Sequence, residues 1–91
     1  MGKLVRDKVP EIAKDKEFRK CKEDEMIILL AKKLCEEAIE FLTSLSVEEL
    51  ADVAEVLDTL INIYGKEKVM TIKEEKRKKR GGFSECWVLE D

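Results

Sequence analysis

The stretch "LLAKKLCEEAIEFLTSLSVEELADVAEVLDTL", residues 29 to 60, decides the fold. Its apolar residues recur at helical spacing, "TSLS" breaks the pattern near the middle, and the same spacing resumes beyond the break. Working outward, Glu25 to Leu42 reads as one amphipathic helix, with apolar positions 26, 27, 30, 31, 34, 38, 41 and 42. Ser46 followed by Glu49 has the spacing of a capping box that starts a second helix, which runs to about Tyr64 and stops at Gly65. A third helix, about Lys66 to Arg80, ends at Gly81 and Gly82. Pro10 suits the first turn of a short helix from about Pro10 to Ala13. Residues 14 to 23 read as a loop, and "FSECWVL" (83 to 89) as a short apolar, extended tail.

Composition points the same way. Of 91 residues 43% are charged and 5% aromatic, with one proline and four glycines, a mixture that suits an all-α domain rather than a sheet. One domain, residues 1 to 91, is expected, near the size at which a single core is marginal, so association of copies is expected too. The chain has no histidine, which removes histidine-based nucleophilic catalysis and most zinc sites and leaves carboxylates as the plausible catalytic side chains. Cys21, Cys35 and Cys86 are odd in number and irregularly spaced, so neither a disulfide framework nor a zinc site is expected. No run is apolar enough for a membrane span and no hydrophobic leader opens the sequence, so the expected location is cytoplasmic, with no membrane partner.

The charge is unevenly placed. Residues 36 to 58 carry eight acids and no base, whereas residues 66 to 80 carry eight bases against three acids. At about 100° per residue, Glu37 falls inside the apolar arc of the first long helix, between Met26 and Leu30, and Glu40 at its border, while Glu36 and Lys32 lie on the polar face. On the second helix Glu49 drops between Val56 and Leu60, with Asp52 at the border. A short connection makes the two helices an antiparallel hairpin. With the turn centred between Ser44 and Leu45, Glu37 lies opposite Asp52 and Glu40 opposite Glu49, all within about one helical turn. Four carboxylates that close raise one another's pKa unless a cation balances them. With no base four residues beyond Glu37 or Glu40, that cation is expected to be a metal ion rather than a Lys or Arg of the chain. Oxygen-only ligation favours Mg²⁺, with Mn²⁺ as a substitute. Glu49 is alternatively the reciprocal member of the Ser46 capping box, Glu55 is the candidate fifth acid, and Glu36, Glu48 and Asp58 are expected to face solvent.

Glu-x-x-Glu (Glu37, Glu40) followed by Glu-Leu-x-Asp (Glu49 to Asp52) resembles the metal-binding signature of the all-alpha nucleoside triphosphate pyrophosphohydrolases, the MazG-like superfamily. "KLVRDKVPEI", "LLAKKLCEEAIEFL", "EELADVAEVLDTL" and "KRKKRGGF" resemble, in that order, the small MazG-like proteins described as phosphoribosyl-ATP pyrophosphohydrolase-like. The spacer of eight residues between Glu40 and Glu49 is shorter than is usual in the superfamily. The resemblance implies a helical dimer or tetramer that hydrolyses a nucleotide between the α and β phosphates with Mg²⁺, giving a nucleoside monophosphate and pyrophosphate. It carries the metal-ligand role to Glu37, Glu40, Glu49 and Asp52.

On this reading Glu37 or Glu40 orients or deprotonates the attacking water. Lys3, Arg6 and Lys8 at one end of the chain and Lys76, Arg77, Lys79 and Arg80 near the other are the candidate phosphate-binding cations. Arg6 and Asp7 are alternatively an internal ion pair, and the "KRKKR" run is alternatively a solvated helix end that complements the macrodipole. Phe83 and Trp87 are expected to pack on a neighbouring subunit rather than stack on a base. A nucleic-acid partner is disfavoured by the net charge of -3. The wide apolar arc, extending toward Ile28, Cys35 and Ile39, favours assembly into a four-helix-bundle-like homo-oligomer. The alternative function is a catalytically idle helical oligomer acting as a partner-binding or regulatory module.

Overall fold

The structure, a computed structural model, describes residues 2 to 90. Those residues form helices and no strand: α1 (Val9–Ile12), a 3-10 turn (Glu23–Glu25), α2 (Met26–Ser44), α3 (Val47–Tyr64) and α4 (Lys66–Arg80). The chain divides into two units, one up to Leu60 and the other from Ile61.

In the first unit, Pro10 sits in the first turn of α1, where its missing N–H costs no helical bond. The loop ahead of α2 closes through Glu25, whose carboxylate accepts the Lys22 backbone N–H at 2.8 Å and an Arg19 N–H at 2.6 Å. These two bonds are the chief reason that the Glu25 carboxyl is held down at about 2. The aperiodic sequence of residues 14 to 23 thus ends in a defined polar start to the helix.

α2 stops at Leu45, which adopts the left-handed conformation (φ 54°, ψ 29°) and donates its N–H to the Phe41 carbonyl at 2.6 Å. The usual residue for that conformation is glycine, because a Cβ is crowded there. Ser46 then starts α3. Its hydroxyl accepts the Glu49 N–H at 3.2 Å, and its carbonyl accepts the Leu50 N–H at 3.1 Å. The expected reciprocal half of the capping box does not form, because the Ser46 N–H turns to Ser44 Oγ at 3.3 Å and the Glu49 side chain is left to other work.

Two residues connect α2 to α3, and Glu37 on α2 has Glu49 and Asp52 of α3 beside it, which requires the chain to double back. Only Leu30 is a buried hydrophobic residue among those described, and Glu37 is the only buried charged one. The covered side of α2 is displaced from the apolar arc of the sequence. It runs through Met26, Leu30, Lys33 and Glu37, while Ile27, Ala38 and Leu42 are exposed. The covered side of α3 likewise passes through Glu49, Asp52, Val53 and Val56 and leaves Leu50 and Leu57 exposed. Each stripe is therefore centred on an acid.

In the second unit, α4 is a basic, exposed helix whose last turn holds Arg77, Lys78, Lys79 and Arg80, favourably placed against the helix dipole. Gly65, at φ 107°, supplies the backbone conformation that separates α3 from α4. The tail turns at residues 83 to 85 and forms no strand, and Phe83 and Trp87 are exposed on the single chain.

Candidate metal centre

The hairpin register brings Glu37, Glu49 and Asp52 together, each offering a carboxylate oxygen within 4.8 Å of the others. Glu37 is buried at 7% exposure, and its neighbours are half-buried. Glu37 Oε2 and Glu49 Oε2 are both buried without a hydrogen-bond partner. An ionised oxygen withdrawn from water and left unbonded is costly, and two that converge are costlier. That arrangement fits a hard cation with oxygen ligands, and the donor set contains no sulfur or nitrogen that would favour a softer metal.

Glu40 lies outside the trio but against it. The carboxylate of Glu37 is the first reason that the Glu40 carboxyl is raised above its ordinary value, since protonated Glu40 donates a hydrogen bond to it. Repulsion from Glu37, Glu49 and Glu36 works in the same direction, as does the water that neighbouring groups displace. Of the four expected acids, three thus form a converging set and Glu40 stands at its exposed margin, beside Glu37.

The expectation that these acids find no base within the chain needs correction. Lys33 Nζ lies 3.3 Å from Glu37 Oε1 and 3.4 Å from Glu36 Oε1. Burial opposes the charge on Lys33, but its bonds to Glu37 and Glu36 outweigh that penalty and raise its pKa. Arg6 Nη2 donates to Asp52 Oδ1 at 2.5 Å, so its partner is Asp52 and not the adjacent Asp7. Glu36, expected to face solvent, is half-buried and paired with both Lys33 and Lys3. Burial opposes the Glu36 charge, yet the Lys33 and Lys3 bonds prevail and lower its pKa. Lys33 precedes its partner rather than following it. It lies one turn before Glu37 and about 20° beyond Met26 on the helical wheel.

A cavity of about 670 Å³ adjoins the trio. One wall is the extended N-terminal segment from Lys3 to Val9, and the others are Leu30, Lys33 and Glu37 of α2 and Asp52, Glu55, Val56 and Thr59 of α3. The candidate cations Lys3, Arg6 and Lys8 and the candidate fifth acid Glu55 therefore line one space, which also has an apolar wall from Leu4, Val5, Val9, Leu30 and Val56. Lys76, Arg77, Lys79 and Arg80 are exposed on α4, in the second unit. Glu48 and Asp58 are exposed, as expected.

No family model, curated protein or solved structure matches the chain.

Proposed function

We propose that the chain is a Mg²⁺-dependent nucleotide pyrophosphohydrolase, cleaving between the α and β phosphates. The observation that carries this reading is the pair of buried, unbonded carboxylate oxygens, Glu37 Oε2 and Glu49 Oε2, beside Asp52 at the edge of a cavity lined with cations. The resemblance of the acidic motifs to the MazG-like superfamily supports it and supplies the reaction.

Glu37, Glu49 and Asp52, with Glu40 at the margin, would hold the ion, Mg²⁺ or Mn²⁺. When bound, it neutralises phosphate charge and stabilises the leaving pyrophosphate. Lys33 fixes the Glu37 carboxylate through Oε1 while leaving Oε2 free. Arg6, Lys3 and Lys8 bring positive charge to the cavity in which a polyphosphate would lie. Glu40, exposed and with a raised proton affinity, is the acid best placed to orient a water and take its proton, with Glu37 as the alternative. The apolar cavity wall of Leu4, Val5, Val9, Leu30 and Val56 gives a nucleoside a surface to rest on.

The protein works, on this reading, as a homodimer or homotetramer. Leu42 on α2 and Leu50 and Leu57 on α3 are exposed hydrophobic residues flanking the covered stripes, and a single buried leucine is a small core. A second copy covering that flank would complete a four-helix bundle.

Pyrophosphate release from a panel of nucleoside triphosphates with Mg²⁺, repeated with Glu37→Gln and Asp52→Asn, tests the activity. Cleavage by the wild type and its loss in both variants is the expected result. One observation favours a second reading, an idle regulatory module: Arg6 and Lys33 already compensate two of the acids, as a purely structural network would. No cleavage of any nucleotide by the wild type, while Mg²⁺ still raises its melting temperature, would support that reading.

A further inference from the structure

The N-terminal segment that walls the cavity also brings a cation to the acids. Arg6 reaches across from that segment to Asp52, and Asp52 is one of the three acids whose oxygens converge. One carboxylate thus has two competing claims on it, that of a guanidinium and that of any ion held with Glu37 and Glu49. The guanidinium is the easier one to move. Its side chain is 59% exposed and that of Asp52 37%, so water is at hand to solvate both when the pair opens. Lys33, by contrast, is mostly buried and bonded to two acids on its own helix, so it stays in place. A freed Arg6 remains at the cavity wall, where its planar fork matches the geometry of phosphate oxygens.

We propose that Arg6 is an exchangeable counterion, holding Asp52 while the carboxylate trio lacks a divalent cation and turning to a phosphate group in the same cavity when a cation takes Asp52. The proposal rests on the reading that the trio binds a divalent cation. It makes the two ligands help each other. The cation frees the phosphate's binding partner, and the phosphate keeps that partner away from the cation's ligand. By linkage each raises the other's affinity by the same factor.

The experiment is a calorimetric titration of wild type and Arg6→Gln with Mn²⁺, without and with inorganic phosphate, alongside ¹⁵N spectra of the Arg6 side chain of the wild type during addition of Mg²⁺. Loss of an exposed competitor and of one nearby positive charge should raise Mn²⁺ affinity in phosphate-free buffer by roughly three- to tenfold. Phosphate should tighten Mn²⁺ binding to the wild type and have little such effect on Arg6→Gln. The Arg6 Nε–H resonance should move as Mg²⁺ saturates the protein and move again on adding phosphate. Mn²⁺ binding that is unchanged or weaker in Arg6→Gln overturns the exchange, and so does an Arg6 resonance that ignores saturating Mg²⁺. Failure of the wild type and the variant to bind Mn²⁺ at all overturns the cation reading and the exchange with it. The wild-type spectra do not depend on how the variant folds.

Discussion

Lys33 Nζ stands 3.3 Å from Glu37 Oε1, one helical turn before it on α2, and this pair occupies the covered side of a helix whose only other buried residue is Leu30. A charged pair therefore sits on a covered face, where lysine and glutamate are rare unless paired. Its lysine is 18% exposed and its glutamate 9% by side chain, so each partner depends on the other for the solvation it has lost.

Removing one member should be worse than removing both. Lys33→Met should destabilise the metal-free protein by about 2 kcal/mol, because Glu37 keeps its charge without its partner. Lys33→Met combined with Glu37→Leu should recover most of that loss. Urea unfolding of the two singles and the double mutant forms the cycle that checks it.

Divalent cations should stabilise the fold. At a hundredfold excess over its dissociation constant, Mg²⁺ should add about 2.7 kcal/mol. Glu49→Gln should abolish most of this gain, since it replaces one of the converging carboxylates with an amide. Melting temperatures with Mg²⁺ and with a chelator measure the difference.

Two of the three carboxyls with displaced pKa values, Glu25 and Glu40, work in opposite directions with pH. Glu25 is held at about 2 by Arg19 and the Lys22 N–H, below its ordinary 4.5, so its contribution is fully present above 4.5 and is lost as pH falls toward 2. Thermal melts of Glu25→Gln should therefore converge on those of wild type across that window. Glu40 is raised by Glu37, so the stability tied to its protonated form is present below the ordinary carboxylate value and is lost as pH rises through the folded one. Glu40→Gln should accordingly raise the melting temperature of the metal-free protein at pH 7.

Leu45 offers a test at the turn. Its left-handed conformation (φ 54°) carries a Cβ penalty of roughly 1 kcal/mol that glycine does not have. Its side chain is 69% exposed, so little packing is forfeited on removal. Leu45→Gly should stabilise the chain by up to about 1 kcal/mol, read as a shift in the urea midpoint with unchanged slope.

The helices were legible in the sequence because their signals are local. Apolar spacing marked α2 and α3, and Ser46 marked the start of α3 within a residue. The meeting of Glu37 with Glu49 and Asp52 followed from the same local facts once the turn was placed at Ser44 and Leu45. What lay beyond reach was long-range. Nothing in "KLVRDKVPEI" says that Arg6 will bypass Asp7 for a residue 46 positions away, since that choice depends on where the segment docks. The Lys33 pairing is illegible for a different reason. A lysine bordering an apolar arc has the same sequence signature whether it extends to solvent or bends back over a buried acid. The rotation of each covered stripe toward its acid was hidden likewise, because periodicity finds an apolar face but not how much of it one neighbour covers.

The two-residue link between α2 and α3 has a kinetic consequence. Every acid of the converging trio lies between residues 37 and 52, so closing one short loop brings them together. Loops of about ten residues close within roughly 10 to 100 ns, far sooner than a distant segment finds its place. During refolding the carboxylates should thus meet before Arg6 arrives, and a nascent hairpin should carry an excess of negative charge that Lys33 alone offsets. Added divalent cations should then speed the refolding of this chain by screening that charge while the hairpin forms.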